Sequence, residues 1–416
     1  MGLVNPVVAL LVSFGFLGVM LFKRVNLGIT LNATALLLAL LAVDIATIPA
    51  IIYRTTLEPL TIAVVLATFG IMMLSQLYKH TRVIDALSES VGKIINNPKI
   101  VSSILPAIIG FLPVAGGALM SAPLVDSQTE KLGLKPEKKA YVNIWFRHTI
   151  FPVYPLSQVL VITAALTGVA VPLIILRQIP VIAVMIIIGY LISFWKLSKT
   201  EKEARLNPVE TQNVNSNLKR FLIAFAPIMA TIIAVVALDA AGLGLAGIGL
   251  DVCVATFVGI IVLVLIAKPS RQVLVKPLRS WEIYGITLAA YGAFLLRNVT
   301  VATGISEILK AFVVNGGVDV IILLTLVPAV LGFVTGSPSG GVAISVSILA
   351  GLLAFSPKTA ALLFMSAYLG YLIVPSHLCL AFTVDYFKCS MGKVYKYIIP
   401  SFLVSFIAAL LVYFLA

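Results

Sequence analysis

The sequence predicts an all-α polytopic membrane protein made of two inverted-topology repeats. Each repeat holds five transmembrane helices, one of them broken, and one re-entrant hairpin. Three observations predict this. First, the apolar fraction is 61%, charged residues make up 11%, and mean hydropathy is +1.12, a composition that ordinary soluble domains do not have. Second, the apolar runs are long enough to cross hydrocarbon as helices. Third, Leu105-Pro106-Ala107-Ile108-Ile109-Gly110-Phe111 matches Val327-Pro328-Ala329-Val330-Leu331-Gly332-Phe333 at its Pro, Ala, Gly and Phe. The same register sets Gly70 on Gly292, Asp85 on Glu307 and Leu87 on Leu309. After a two-residue insertion Gly116-Gly117 meets Gly340-Gly341, and further on Pro136 meets Pro357 and Pro155 meets Pro375.

In chain order, spans are expected at about 5–22, 28–52 and 59–78. Met1 to Pro6 has no basic leader or small-residue cleavage site, so the first run is expected to be retained. An amphipathic piece follows at 83–96. The apolar stretch 100–125 is interrupted by Pro113 and Gly116-Gly117. At ~1.5 Å per residue neither arm crosses a ~30 Å core, so a hairpin entering and leaving by one face is the economical reading. After a charged connector (Glu130 to Lys139), the run 140–168 is broken by Pro152 and Pro155, because proline removes a donor and clashes with the preceding turn. A span at 171–195 closes the first repeat, residues 1–195. The polar segment 196–220 is a linker. The second repeat, 221–416, has spans near 221–238, 250–267 and 282–297 and an amphipathic piece at 304–315. A hairpin at 318–354, a helix at 359–387 broken at Pro375, and a last span at 394–415 complete it.

Five crossings per repeat invert the second copy. With both termini outside and 196–220 in the cytoplasm, the loop lysines and arginines collect inside. Only Arg54, Arg177, Arg297, Lys310 and Lys358 are left outside, as the positive-inside rule demands. The net charge of +13 is therefore a topology signal, and no nucleic-acid partner is expected. The expected location is the cytoplasmic membrane. Cys253, Cys379 and Cys389 lie in or beside apolar runs without CxxC or histidine at ligand spacing, and read as packing residues.

The chemistry is expected where the helices break. Paired hairpins and broken helices in inverted repeats place a substrate site near the midplane. The starts after Gly116-Gly117, Gly340-Gly341, Pro155 and Pro375 would present free N–H groups and positive dipole ends, which suit an anion. Ser121, Thr335, Ser337, Ser339 and Ser345 lie around the tips, either as ligands or as groups bonded to their own backbone. Arg147 and His148 lie inside a span, with Asn143 one turn earlier and no Asp or Glu on the same span. An intramembrane charge is costly and faces a cavity or a partner. Arg147 is therefore expected to meet a small anionic substrate, the alternatives being that it snorkels to the inner surface or caps a carbonyl. His377 could move a proton, donate to substrate or be structural. Gln76 and Asn298, which align across the repeats, are expected to brace the hairpins, and Asp385 to end a helix.

This layout resembles the ion transporter superfamily of secondary carriers, which includes divalent-anion/sodium symporters, gluconate-type permeases and the large membrane subunit of tripartite periplasmic transporters. The segments Asn143-Ile144-Trp145-Phe146-Arg147-His148-Thr149-Ile150 with Tyr154-Pro155, and Pro375-Ser376-His377-Leu378-Cys379-Leu380, more narrowly resemble an uncharacterised prokaryotic multipass family in that group. The resemblance implies an elevator-type carrier, a homodimer through the early spans of each repeat, and hairpins and broken helices that move as a unit. The Ser-Asn-Thr tip signature of the sodium/dicarboxylate branch is replaced by Pro113-Val114-Ala115-Gly116-Gly117 and Ser337-Pro338-Ser339-Gly340-Gly341. Sodium and proton coupling both stay open, and no cofactor beyond a coupling ion is expected. The expected function is secondary active transport of a small organic or inorganic anion across the bilayer. A passive anion channel is an alternative. An intramembrane serine hydrolase using Ser339 and His377 is disfavoured, because Ser337 stands where its Gly-x-Ser-Gly motif needs the first glycine.

Overall fold

The computed structural model describes residues 3–95, 97–112, 117–195, 214–241, 250–305, 307–308, 311, 316 and 319–415. The described chain is helical, with one isolated bridge between Ala350 and Leu353. The first half contains α1 (Pro6–Phe22), α2 (Leu27–Ala42), α3 (Ile48–Leu57), α4 (Pro59–His80) and α5 (Val83–Ile94). It continues with α6 (Pro98–Gly110), α7 (Ala118–Glu130), α8 (Pro136–Arg147), α9 (Gln158–Thr167) and α10 (Val171–Phe194). The second half contains α11 (Val214–Ala240), α12 (Leu250–Ala267), α13 (Trp281–Ala302), α14 (Val320–Thr335), α15 (Pro338–Leu349), α16 (Pro357–Leu372), α17 (Leu378–Tyr386) and α18 (Met391–Leu415). Of the expected crossings, six described segments are long and apolar enough to cross a bilayer as they stand. These are Pro59–His80, Pro136–Thr167, Val171–Phe194, Asn215–Leu238, Trp281–Ala302 and Met391–Leu415. The protein is a multi-pass membrane protein.

The helices sort into two packed groups. In one, α2 lies along α13, α4 against α12, and α11 against α5 and α12. The α2–α13 contact is close because Gly28 lies against the Gly285 and Ala289 backbone, while Gly285 and Gly292 leave room for the Asn26 and Asn32 side chains, and Asn32 Nδ2 donates to the Leu288 carbonyl across it at 3.0 Å. In the other group the pairs α6–α7 and α14–α15 each fold back on themselves, and α10 packs on α18. Lys139 of α8 is buried and ion-paired with Asp126 (2.8 Å) and Glu130 of α7. It ties that pair to the broken helix and is not a solvated member of the inside charge cluster.

Three expectations are corrected. The span 28–52 is not one helix, because Asp44 turns its carboxylate onto the Ala46 N–H (3.0 Å) and Pro49 opens a new helix. Gln76 and Asn298 do not brace the hairpins. Gln76 donates to Glu282 of α13 at 2.6 Å, and Asn298 to Thr55 of α3 at 3.0 Å, so both lock the first helix group. The halves of the broken helices start later than their prolines. A 3-10 turn at Phe151–Val153 precedes α9, whose N-cap is Ser157, and α17 has His377 as N-cap. The second amphipathic piece falls largely outside the described residues.

Candidate functional site

A cavity of about 330 Å³ lies where the two helix groups meet. Its walls are assembled from chain interruptions. The end of α8 supplies Arg147 and His148, the start of α9 supplies Ser157 and Gln158, and the α14–α15 turn supplies Gly336 to Ser339. The α16–α17 break supplies Ser376 to Cys379, Tyr368 and Tyr371 come from α16, and Asn26 and Glu282 face it from the other group.

Local sequence explains each interruption. Gly336 takes a left-handed backbone (φ +58°) that ends α14, and Ser337 then caps α15 by accepting from the Gly340 N–H at 3.3 Å. Pro338 sits in the first turn of α15, where its missing N–H costs nothing. Ser157 and His377, each two residues after an aligned proline, cap α9 and α17 without a side-chain bond to the helix. Three helix starts thus line one cavity, their N–H groups uncompensated by any acid in their first turns. The start of α7, capped by Gly117, does not line it.

Arg147 is 1% exposed. Its Nη2 donates to the Leu112 carbonyl at 3.2 Å, at the end of α6, and its guanidinium carbon lies 6.0 Å from the Phe151 ring centre. Nε and Nη1 are buried with no partner, and no acid pairs with the side chain among the described residues. Burial argues against snorkelling, while the bond to Leu112 is the carbonyl cap of the other alternative, made with one of the three nitrogens. Removing a cation from water costs several kcal/mol, which only good pairing returns. The arrangement provides a fixed positive charge with spare donors beside three helix N-termini, which is the chemistry of an anion site.

The two histidines meet beside it. Their ring centres are 4.8 Å apart at an interplanar angle of 87°. The Nδ1 of His148 lies 2.7 Å from the Ile144 carbonyl, which makes it the donor, and the Nε2 of His377 lies 2.6 Å from the Tyr371 hydroxyl. Tyr368 donates to the His148 carbonyl at 2.5 Å, holding the end of α8 against α16. Ser339 makes no side-chain hydrogen bond among the described residues, and His377 faces Tyr371 rather than Ser339.

Of the residues singled out from sequence, Arg147, His148, Ser337, Ser339 and His377 come together here. The others serve elsewhere. Asn143 donates to the Ala118 carbonyl at 2.9 Å and to Thr383 at 3.1 Å, bracing α8 to α7 and α17. Pro155 lines a separate, largely apolar cavity of about 320 Å³. Gly340 and Gly341 are buried in packing contacts with Thr335 and Gly332. Pro375 is exposed, and Gly117 is buried away from the cavity. Gly116 lies outside the described residues. Ser121 and Ser345 bond their own helix carbonyls, and Asp385 is an exposed residue at the end of α17.

A family model described as "Protein of unknown function (DUF401)" matches residues 6–416. The chain belongs to the DUF401 family. No curated protein matches it.

Sequence reasoning missed Tyr371, Ser157, Gln158 and Glu282. One available signal was the offset from the aligned prolines. Ser157 stands two residues after Pro155 as His377 stands two after Pro375, so the sequence match that pairs the prolines also pairs the two caps.

Proposed function

We propose that this DUF401 protein is a secondary active transporter that carries a small anion across the membrane. The observation that carries the reading is Arg147, a fully buried guanidinium with two unpartnered nitrogens on a cavity faced by three uncapped or hydroxyl-capped helix starts. A permanent unpaired cation there is costly unless something transient neutralises it. A carboxylate or phosphate would do so, taking N–H groups from Arg147 and from the helix starts.

In the same proposal, the two halves are inverted repeats, and α6–α7 and α14–α15 are re-entrant hairpins. The α2–α4 and α11–α13 group is the stationary, dimer-forming part. Movement of the second group against it gives two-sided access in elevator fashion. The cavity sits at the seam between these groups, which supports that division. Sodium or protons would drive transport.

The test is uptake and counterflow in proteoliposomes with purified full-length protein, using radiolabelled carboxylates, sugar acids and phosphate in turn. A carrier shows saturation and counterflow. Linear, non-exchanging flux that survives Arg147→Gln would refute the proposal.

A further inference from the structure

Cys379 reads from sequence as packing, yet the fold delivers it to the two histidines. One ring nitrogen of His148, one of His377 and the Cys379 sulfur lie within 4.8 Å of one another, and all three residues are buried. They come from two different broken helices, α8 and the start of α17.

We infer that His148, His377 and Cys379 form a binding site for a borderline divalent cation of the Zn²⁺ class, open on one side to the anion cavity. Three features of the site carry this. The Nδ1 of His148 is committed to the Ile144 carbonyl, so its Nε2 keeps a free lone pair. The Nε2 of His377 is committed to Tyr371, and its Nδ1 is buried without a hydrogen-bond partner. Metal-bound histidines are held in this way, the second nitrogen fixed by a carbonyl or a neighbouring polar group. Two imidazoles and a thiolate favour zinc-like cations over sodium, magnesium or calcium, which need oxygen ligands.

Zinc, with Zn–N near ~2.1 Å and Zn–S near ~2.3 Å at tetrahedral angles, places donors roughly 3.5 Å apart. Donors within 4.8 Å of one another therefore close by up to about 1.3 Å on binding. Charge supports an exogenous fourth ligand. The metal (+2), the thiolate (−1) and the Arg147 guanidinium (+1) sum to +2, with no acid pairing Arg147 among the described residues and with Glu282, on the opposite wall, bonded to Gln76. A dianion with one oxygen on the metal and another on Arg147 would balance the site. Binding releases the Cys379 thiol proton to solvent. The metal site stands on its own three donors; the bridging anion rests on the transport proposal.

The test uses purified full-length protein stripped of metal and titrated with Co²⁺ as spectroscopic probe. One Co²⁺ per chain is expected, with the ligand-field bands of four-coordinate cobalt and a thiolate-to-cobalt charge-transfer band. Cys379→Ser should abolish that band, whereas Cys253→Ser and Cys389→Ser keep it. His148→Gln and His377→Gln should each weaken Co²⁺ binding at least tenfold, a loss read in variants that elute as monodisperse protein and unfold at the metal-free wild-type temperature. A charge-transfer band that persists in Cys379→Ser overturns the inference. So does Co²⁺ binding by wild type no tighter than by a variant carrying His148→Gln, His377→Gln and Cys379→Ser together. Succinate should tighten Co²⁺ binding to wild type but not to Arg147→Gln. Counterflow without specific Co²⁺ binding would refute the metal site alone, and the converse would refute transport alone.

Discussion

Replacing Arg147 separates a binding role from a structural one, because the two roles move stability in opposite directions. The guanidinium spends one N–H on the Leu112 carbonyl and leaves Nε and Nη1 unpaired. If an anion takes two of the remaining N–H groups, each bond adds ~1.5–3 kcal/mol net. Arg147→Lys keeps charge but loses the planar fork, and with it about one such bond. Affinity should then fall about ten- to a hundredfold, at ~1.4 kcal/mol per tenfold. Arg147→Gln removes charge and fork together and should abolish measurable binding, with no rescue by substitution of His148. Arg147→Met removes a buried, half-satisfied ion and replaces it with an apolar chain of similar length. Such replacements are often neutral or stabilising by ~1–4 kcal/mol, so ligand-free Arg147→Met should melt at or above the wild-type temperature. The assay is thermal unfolding in detergent with and without the transported anion. A wild-type ligand shift retained in Arg147→Gln, or a large destabilisation of ligand-free Arg147→Met, would show that Arg147 is a structural cap and refute the reasoning.

Other expected outcomes follow from the same geometry. A methyl added at Gly332 or Gly370 would overlap the carbonyl of Ala367 or Ala329, so Gly332→Ala and Gly370→Ala should each destabilise by ~1–3 kcal/mol. Gly18→Ala, inside α1 with open space around it, serves as control and should leave the melting temperature unchanged or slightly raised. A cysteine at Ser339, on a background lacking Cys253 and Cys389 but keeping the buried Cys379, should be protected from a small hydrophilic thiol reagent by saturating anion. Unchanged labelling would remove the α15 start from the site. A cysteine at Ser198 should label only after cells are permeabilised, and labelling in intact cells would reverse the topology.

What sequence revealed was local in origin. An arginine inside an apolar span, prolines that break helices and glycines that recur in register are each costly or distinctive where they stand, so Arg147, His148 and His377, which line one cavity, could be singled out from residues alone. What it obscured depends on partners far along the chain. Gly340 and Gly341 looked like a ligand loop, but their neighbours Thr335 and Gly332 make them spacers. Asn143 looked like a companion of Arg147 until Ala118 and Thr383 claimed its amide. Gln76 found Glu282, 206 positions away, a pairing that no periodicity encodes. The helix starts were misjudged by three residues because proline is tolerated in a first turn but does not require one. In both breaks a capping Ser157 or His377 intervenes.

The stacking of α14, α15 and α16 has a mechanical implication. Gly332 rests on the Ala367 backbone, Gly370 on that of Ala329, and Gly341 on Gly332 itself. Three helices therefore touch main chain to main chain, without the layer of side chains that lets neighbouring rods slide or tilt by changing rotamers. Prising them apart would open a void lined by peptide groups already committed to their own helices. The turn that carries Ser337 and Ser339 consequently has no flexible root about which to swing. It is the corner of a plate, and the far edge of that plate leads through α16 to His377. Any motion that uncovers the serines must transport the histidine with them.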